Sequence, residues 1–80
     1  MTDIVKNLTD LCLELDAMNS GNLPLSSVRH HELVEGIVQI GRKLDSKEAM
    51  EELAEHATEV FPKASFMLGP LWNGINGWRF

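Results

Sequence analysis

Three histidines, His30, His31 and His56, are the residues of this chain best suited to metal or proton chemistry. His31 and Glu35 stand four residues apart, as do Glu52 and His56, so each pair would share one face of a helix and could give two ligands to zinc. Neither pair has the Glu-x-x-His spacing of di-iron bundles or the paired histidines of a zinc protease helix. Histidines near helix ends more often serve as surface or partly packed polar residues. No metal and no cofactor is expected.

Nucleophilic chemistry has one candidate, Cys12, flanked on the apolar stripe by Leu8, Leu11 and Leu15. A cysteine in that setting acts as a small hydrophobe, and burial raises its thiol pKa, which makes it a poor nucleophile. The acids of the third segment, Glu48 to Glu59, fall along one exposed helix with no expected cleft to separate their pKa values for acid–base work. "GIVQIG" lacks the preceding strand and the three-glycine spacing of a dinucleotide fingerprint. No catalytic residue emerges, and the chain reads as non-enzymatic.

What is left is recognition chemistry, and it has two sources. The closing stretch "GPLWNGINGWRF" holds both tryptophans and three of the six glycines. Trp72, Ile75, Trp78 and Phe80 recur there at about every third residue, and aromatic side chains of about 150–250 Å² each do not stay in water. They can plug an open core, or Trp78, Arg79 and Phe80 can form a docking element, since Trp and Arg are enriched at binding hot spots. The second source is charge. Twelve acids against seven bases give a net charge of −5, and all of the acids precede residue 60. Glu51, Glu52, Glu55 and Glu59 are the candidate contact residues of that face. The balance disfavours direct binding to a phosphate backbone and favours a basic partner, although acidic helix faces also serve solubility alone.

These residues need elements to carry them. Ile4, Val5, Leu8, Leu11, Cys12, Leu15 and Met18 recur at the 3.6-residue period, predicting a helix from about Asp3 to Asn19, with Thr2 as its cap and "NSGN" as its stop. Ser26 or Ser27 caps a second helix to about Leu44, with an apolar stripe through Leu33, Val34, Ile37, Val38 and Ile40. Gly36 and Gly41 each cost that helix about 1 kcal/mol relative to alanine, which is tolerable if packing compensates or another backbone comes close. "DSKE" reads as a capping box with Asp45 as the cap, opening a third helix whose stripe is Ala49, Met50, Leu53, Ala54, Ala57, Val60 and Phe61, up to the stop at Pro62. So short a connection should make helices 2 and 3 a hairpin or an abrupt corner. "PKASFMLGP" adds a turn or two, begun by Pro62 and ended by Gly69 and Pro70. The two "NG" pairs at Asn73 and Asn76 should then turn the chain back.

The fold class expected is all-α: a small bundle of three main helices, a short fourth helical segment and an aromatic, turn-rich tail, in a single domain. Eighty residues bury only about 60–65% of the unfolded surface, so help from a partner or a homodimer contact is expected, the latter through surplus apolar residues on helix 2. One cysteine cannot make an internal disulfide, and "MTDIVKNLTD" has no basic and then apolar leader pattern. No stretch approaches the roughly 20 apolar residues of a membrane span. A cytoplasmic location without membrane contact is therefore expected. The expected function is a small acidic protein–protein interaction module, a regulator or inhibitor. The alternative is a nucleic-acid mimic whose Glu48, Glu51, Glu52, Glu55 and Glu59 imitate a phosphate row, and a small metal or thiol enzyme ranks third.

Overall fold

The computed structural model describes residues 2–22, 24 and 26–79. They form four helices, α1 (Thr2–Asn19), α2 (Ser27–Lys43), α3 (Lys47–Val60) and α4 (Ala64–Leu71). The all-α class and the three-plus-one arrangement expected from periodicity are what the chain adopts. α1 ends as the glycine stop requires. Gly21 has φ +83°, the Asn22 N–H donates to the Ala17 carbonyl at 2.8 Å, and the Gly21 N–H donates to Met18 at 3.3 Å, which is the Schellman pattern. The cap expected from the Thr2 side chain lies outside the described residues. α2 is capped by Ser26, whose hydroxyl accepts from the Arg29 N–H at 3.3 Å.

Two boundaries differ from the sequence expectation. α3 is capped by Ser46 and not by Asp45. Ser46 is extended, with φ −153° and ψ 162°, and its Oγ accepts from the Ala49 N–H. Serine one position later satisfies the orphan donor of Ala49 in place of that of Glu48, and with Ala49 three residues on there is no reciprocal glutamate. α4 runs through Gly69 and Pro70 to Leu71 instead of stopping at them, and Pro62 lies in the turn ahead of the Lys63 cap. Proline costs α4 the hydrogen bond to the carbonyl of Phe66, an exposed residue. The turn still closes, because the Trp72 N–H donates to Leu68 at 3.0 Å. Burial of Leu68, Gly69 and Trp72 beside it outweighs the loss.

Two ion pairs tie the ends of the helices together. Arg29 at the start of α2 makes a bidentate pair with Glu14 near the end of α1, the Nη2–Oε1 contact being 2.7 Å. Lys63, entering α4, lies 3.8 Å from Asp16 at the same end of α1. α1 packs on α2 and α3, α4 closes against α3 and α2, and α2 and α3 barely touch, so their connection is the abrupt corner and not a packed hairpin.

One core joins all four helices. Leu8, Cys12, Leu15 and Met18 come from α1, Leu33 and Ile37 from α2, Met50, Leu53 and Ala57 from α3, and Ala64 and Leu68 from α4, with Trp72 just beyond. Trp72 is 0% exposed and the largest fully buried side chain. Its indole Nε1–H donates to the Ile37 carbonyl at 2.9 Å, as a buried tryptophan requires. It lies flat against Gly41, where an added Cβ would sit 2.7 Å from Nε1 and 2.9 Å from Cδ1. The helix 2 glycines are thus explained by side chains and not by another backbone. At Gly36 the added Cβ meets only the end of Leu11, at 3.2 Å.

This contrast is testable. Both alanine substitutions recover about 1 kcal/mol of helix propensity. Leu11 can give way, whereas Trp72 is hydrogen-bonded and enclosed, so overpacking there costs about 2–3 kcal/mol. Gly41→Ala is expected to lower the Tm by about 5 °C or more, and Gly36→Ala to leave it unchanged or raise it, as read by circular dichroism melts. Equal responses at the two sites would contradict the packing described.

Candidate functional site

The acidic row and the aromatic tail, separate in the sequence, meet beside α3. Glu51, Glu55 and Glu59 recur every four residues and form one edge of an open groove of about 500 Å³, with Ala54 and Thr58 beneath them and Ser65 and Trp78 opposite. The sequence suggested no cleft along this helix. The cleft exists because α4 packs against α3 and the tail then returns across α4. Thr58 donates its hydroxyl to its own helix, at Ala54 O, 2.7 Å, so the floor offers little competition to the carboxylates above it.

The tail is held rather than dangling. Ile75 to Trp78 is a tight turn closed by the Trp78 N–H on the Ile75 carbonyl at 2.8 Å. Its central residues Asn76 and Gly77 have φ of +52° and +82°, the geometry that Asn-Gly favours. Asn76 Nδ2 donates to the Leu44 carbonyl at 2.8 Å, tying the turn to the corner between α2 and α3. Trp78 Nε1 donates to the Gly69 carbonyl at 3.1 Å. The Trp78 ring meets Trp72 edge to face, centroids 5.3 Å apart and planes at 89°. Trp72 is therefore core plug, and Trp78 is a half-buried wall whose orientation is set by contacts within the chain.

The remaining candidates are spread out. Glu52 points away from this groove, its Oε1 lying 3.9 Å from His56 Nε2. Arg79 is exposed beyond Trp78, and Phe80 lies outside the described residues. Lys47 approaches Glu51 at 3.8 Å, an exposed pair of small energetic value.

A second groove lies on the other flank of α3, and periodicity alone could not show it. Val5, Lys6, Thr9, Asp10 and Leu13 of α1 and His56, Glu59 and Val60 of α3 line about 520 Å³ of mainly apolar space. Leu13 is 45% exposed and Val60 64%. The signal in the sequence was Val60, placed on the third helix's inward stripe although it stands at the stripe's edge. Phe66, 79% exposed on α4, lines neither groove.

Chemistry of other kinds has less to build on. Among the described residues no three His, Cys, Asp or Glu side chains come together as a metal-binding group. Glu35, the helix partner of His31, accepts from Gln39 Nε2 at 2.8 Å. Cys12 is enclosed by the core, and burial pushes its thiol up to about 11. The bidentate hydrogen bond from Arg29, with its positive charge, holds the Glu14 carboxyl below the ordinary range. Among the described residues no helix is long and apolar enough to cross a membrane. Comparison of the chain with protein-family models, curated proteins and solved structures finds no match.

The Cys12 shift has a thermodynamic consequence with a definite sign. The folded pKa lies above the unfolded value of about 8.5, so the stabilisation is fully present below pH 8.5 and is lost as pH rises through about 11. The stability difference between wild type and Cys12→Ala should shrink by about 3 kcal/mol across that window in urea titrations. Below it, Cys12 should react with a thiol reagent no faster than the protein opens. Rapid labelling of the native protein would contradict its enclosure.

Proposed function

We propose that the protein is a small non-enzymatic interaction module that regulates or inhibits another protein by receiving a basic segment in the groove between α3 and the tail. The observation that carries this reading is the convergence of Glu51, Glu55 and Glu59 with the fixed indole of Trp78 around one cleft. A guanidinium suits such a cleft better than an ammonium. It pairs bidentately with carboxylates, stacks on an aromatic face and is weakly hydrated, so an arginine-bearing helix or loop is the partner chemistry favoured. Because Trp78 is already held by Gly69 and Trp72, little ordering cost falls on this side of the complex. The single buried cysteine suits a reducing compartment, and we place the module in the cytoplasm.

Glu48, Glu51, Glu52, Glu55 and Glu59 are all exposed along α3, and that row supports nucleic-acid mimicry as a second reading. The two readings share the charge but not the groove. A mimic presents the whole row to a basic channel, and Glu48 and Glu52 then matter as much as the others. A receiver of one basic segment depends on the three groove carboxylates and on Trp78.

The test is affinity capture with the intact chain, identification of retained proteins by mass spectrometry, and titration of the retained partner against two variants. Replacing Glu51, Glu55 and Glu59 with glutamine keeps helix propensity and should weaken binding about tenfold or more, with a shallower salt dependence. Glu48→Gln with Glu52→Gln should change it by about twofold or less. Equal losses from both sets, with a nucleic-acid-binding partner, would favour mimicry. Unchanged binding in the first variant would reject the groove.

A further inference from the structure

We propose that Asn76 is a site of spontaneous deamidation, and that its conversion unlatches the tail irreversibly. Asn76 and Gly77 form the tip of the tail turn, both exposed, with φ of +52° and +82°. Few residue types accept such angles, and Asn-Gly is among the best of them. The same dipeptide lets an asparagine side chain reach the next backbone nitrogen most easily, because glycine puts no Cβ in the way, and asparagine counts among the thermally labile residues. The Gly77 nitrogen attacks Asn76 Cγ, and the new N–Cγ bond closes a five-membered succinimide. The Cγ–Nδ2 bond breaks, and the Gly77 proton leaves with Nδ2 as ammonia. Water then opens the ring at either carbonyl, giving aspartate or its isoaspartyl isomer. Nothing is oxidised or reduced, and water is the only co-reactant.

The chain holds two Asn-Gly pairs, and the hydrogen bonds distinguish them. Two nested backbone bonds hold the tail. At the base of the loop the Gly74 N–H donates to the Trp78 carbonyl at 2.9 Å, and inside it the Trp78 N–H donates to Ile75 at 2.8 Å. Reaction at Asn73 must pull the Gly74 nitrogen out of that base, beside the enclosed Trp72 whose own carbonyl accepts from Ile75 at 3.0 Å. Reaction at Asn76 needs only the tip to open. Among the described residues no acceptor meets the Gly77 N–H.

Deamidation removes the atom that fastens the tip. Asn76 Nδ2 donates to the Leu44 carbonyl at 2.8 Å, and Leu44 is the C-cap of α2. That carbonyl is one of the orphan acceptors at the negative end of the helix dipole, which need a donor. A carboxylate has no proton to give there and is repelled by the same end. Aspartate still permits the turn, whereas an isoaspartyl link adds a backbone carbon and removes the turn as well. Either product loosens Trp78, the wall of the α3–tail groove, and so weakens the hold on a basic segment. This last consequence rests on the function proposed above; the modification does not.

Ageing the intact chain in warm neutral buffer, followed by peptide mapping with mass spectrometry, tests the site. In the folded protein Asn76 is expected to convert about threefold faster than Asn73 or more, the effect of about one hydrogen bond. In urea the two rates should be similar, since both residues precede glycine. Equal rates in the folded protein, or an Asn76 that converts only in urea, would overturn the site. Asn76→Asp tests the latch: amide hydrogen exchange at Trp78 should speed up about tenfold from the lost donor and the dipole, with the Leu53 amide of the core unchanged. Asn76→Gly keeps the positive φ without a side chain to cyclise, and its exchange should not change further on ageing. If Asn76→Asp fails to fold, half-converted wild type gives the same comparison. Unchanged exchange at Trp78, as when Arg42 or Lys43 in the last turn of α2 captures the new carboxylate, would overturn the latch. Neither readout uses a partner, so a groove that binds no basic segment leaves both standing.

Discussion

Trp72 is the constraint on which the rest of the structure depends. Its indole is enclosed, rests on the bare backbone of Gly41 and donates to the Ile37 carbonyl one turn earlier on α2. A side chain of about 200 Å² is worth about 5 kcal/mol of hydrophobic burial, which is comparable to the whole stability of a small domain. Without it the bundle would have helices 1 to 3 and an open end. α3 presents small side chains such as Ala57 to the core, and α4 presents Ala64, so volume must come from elsewhere. The tryptophan supplies it, and glycine at position 41 makes the room.

The proposed recognition surface follows from the same contact. With Trp72 seated, α4 lies against α3 and the chain must reverse immediately. The Asn76–Gly77 turn does this, and its hydrogen bond to Leu44 fastens the tail to the corner between α2 and α3. Trp78 is thereby set edge to face with Trp72, with its Nε1 on Gly69, and becomes the wall opposite the α3 carboxylates. The interior plug and the outer wall are consecutive parts of one structure. Acidity on α3 alone would be a solvated face; a fixed indole across from it gives the face the walls on which the proposed guanidinium contact rests.

Much of this was legible in the residues. The period of Leu8, Cys12, Leu15 and Met18, the serines ahead of α2 and the proline after α3 place three helices to within a residue or two, because these signals are local. Pro70 misled for the same reason. Its cost is local, but the burial that outweighs it comes from Trp72 meeting α2, far away in the chain. Ser46 and Asp45 are equally good caps in isolation, and only the backbone angles choose between them. The glutamates were visible as a row and Trp78 as a recognition residue. That they face one another could not be read from spacing, since it depends on how α4 and the turn after it pack. The apolar groove between α1 and α3 was hidden for a related reason: Val60 fits an inward stripe by periodicity, yet it stands at the stripe's edge and is 64% exposed.

The central claim, that Trp72 is the enclosed keystone of the bundle, is tested most directly by tryptophan fluorescence of the Trp78→Phe variant, in which Trp72 is the sole emitter. The account predicts blue-shifted emission, resistant to acrylamide quenching and shifting red only in the cooperative unfolding transition. Solvent-like, freely quenched emission from the folded variant would contradict it.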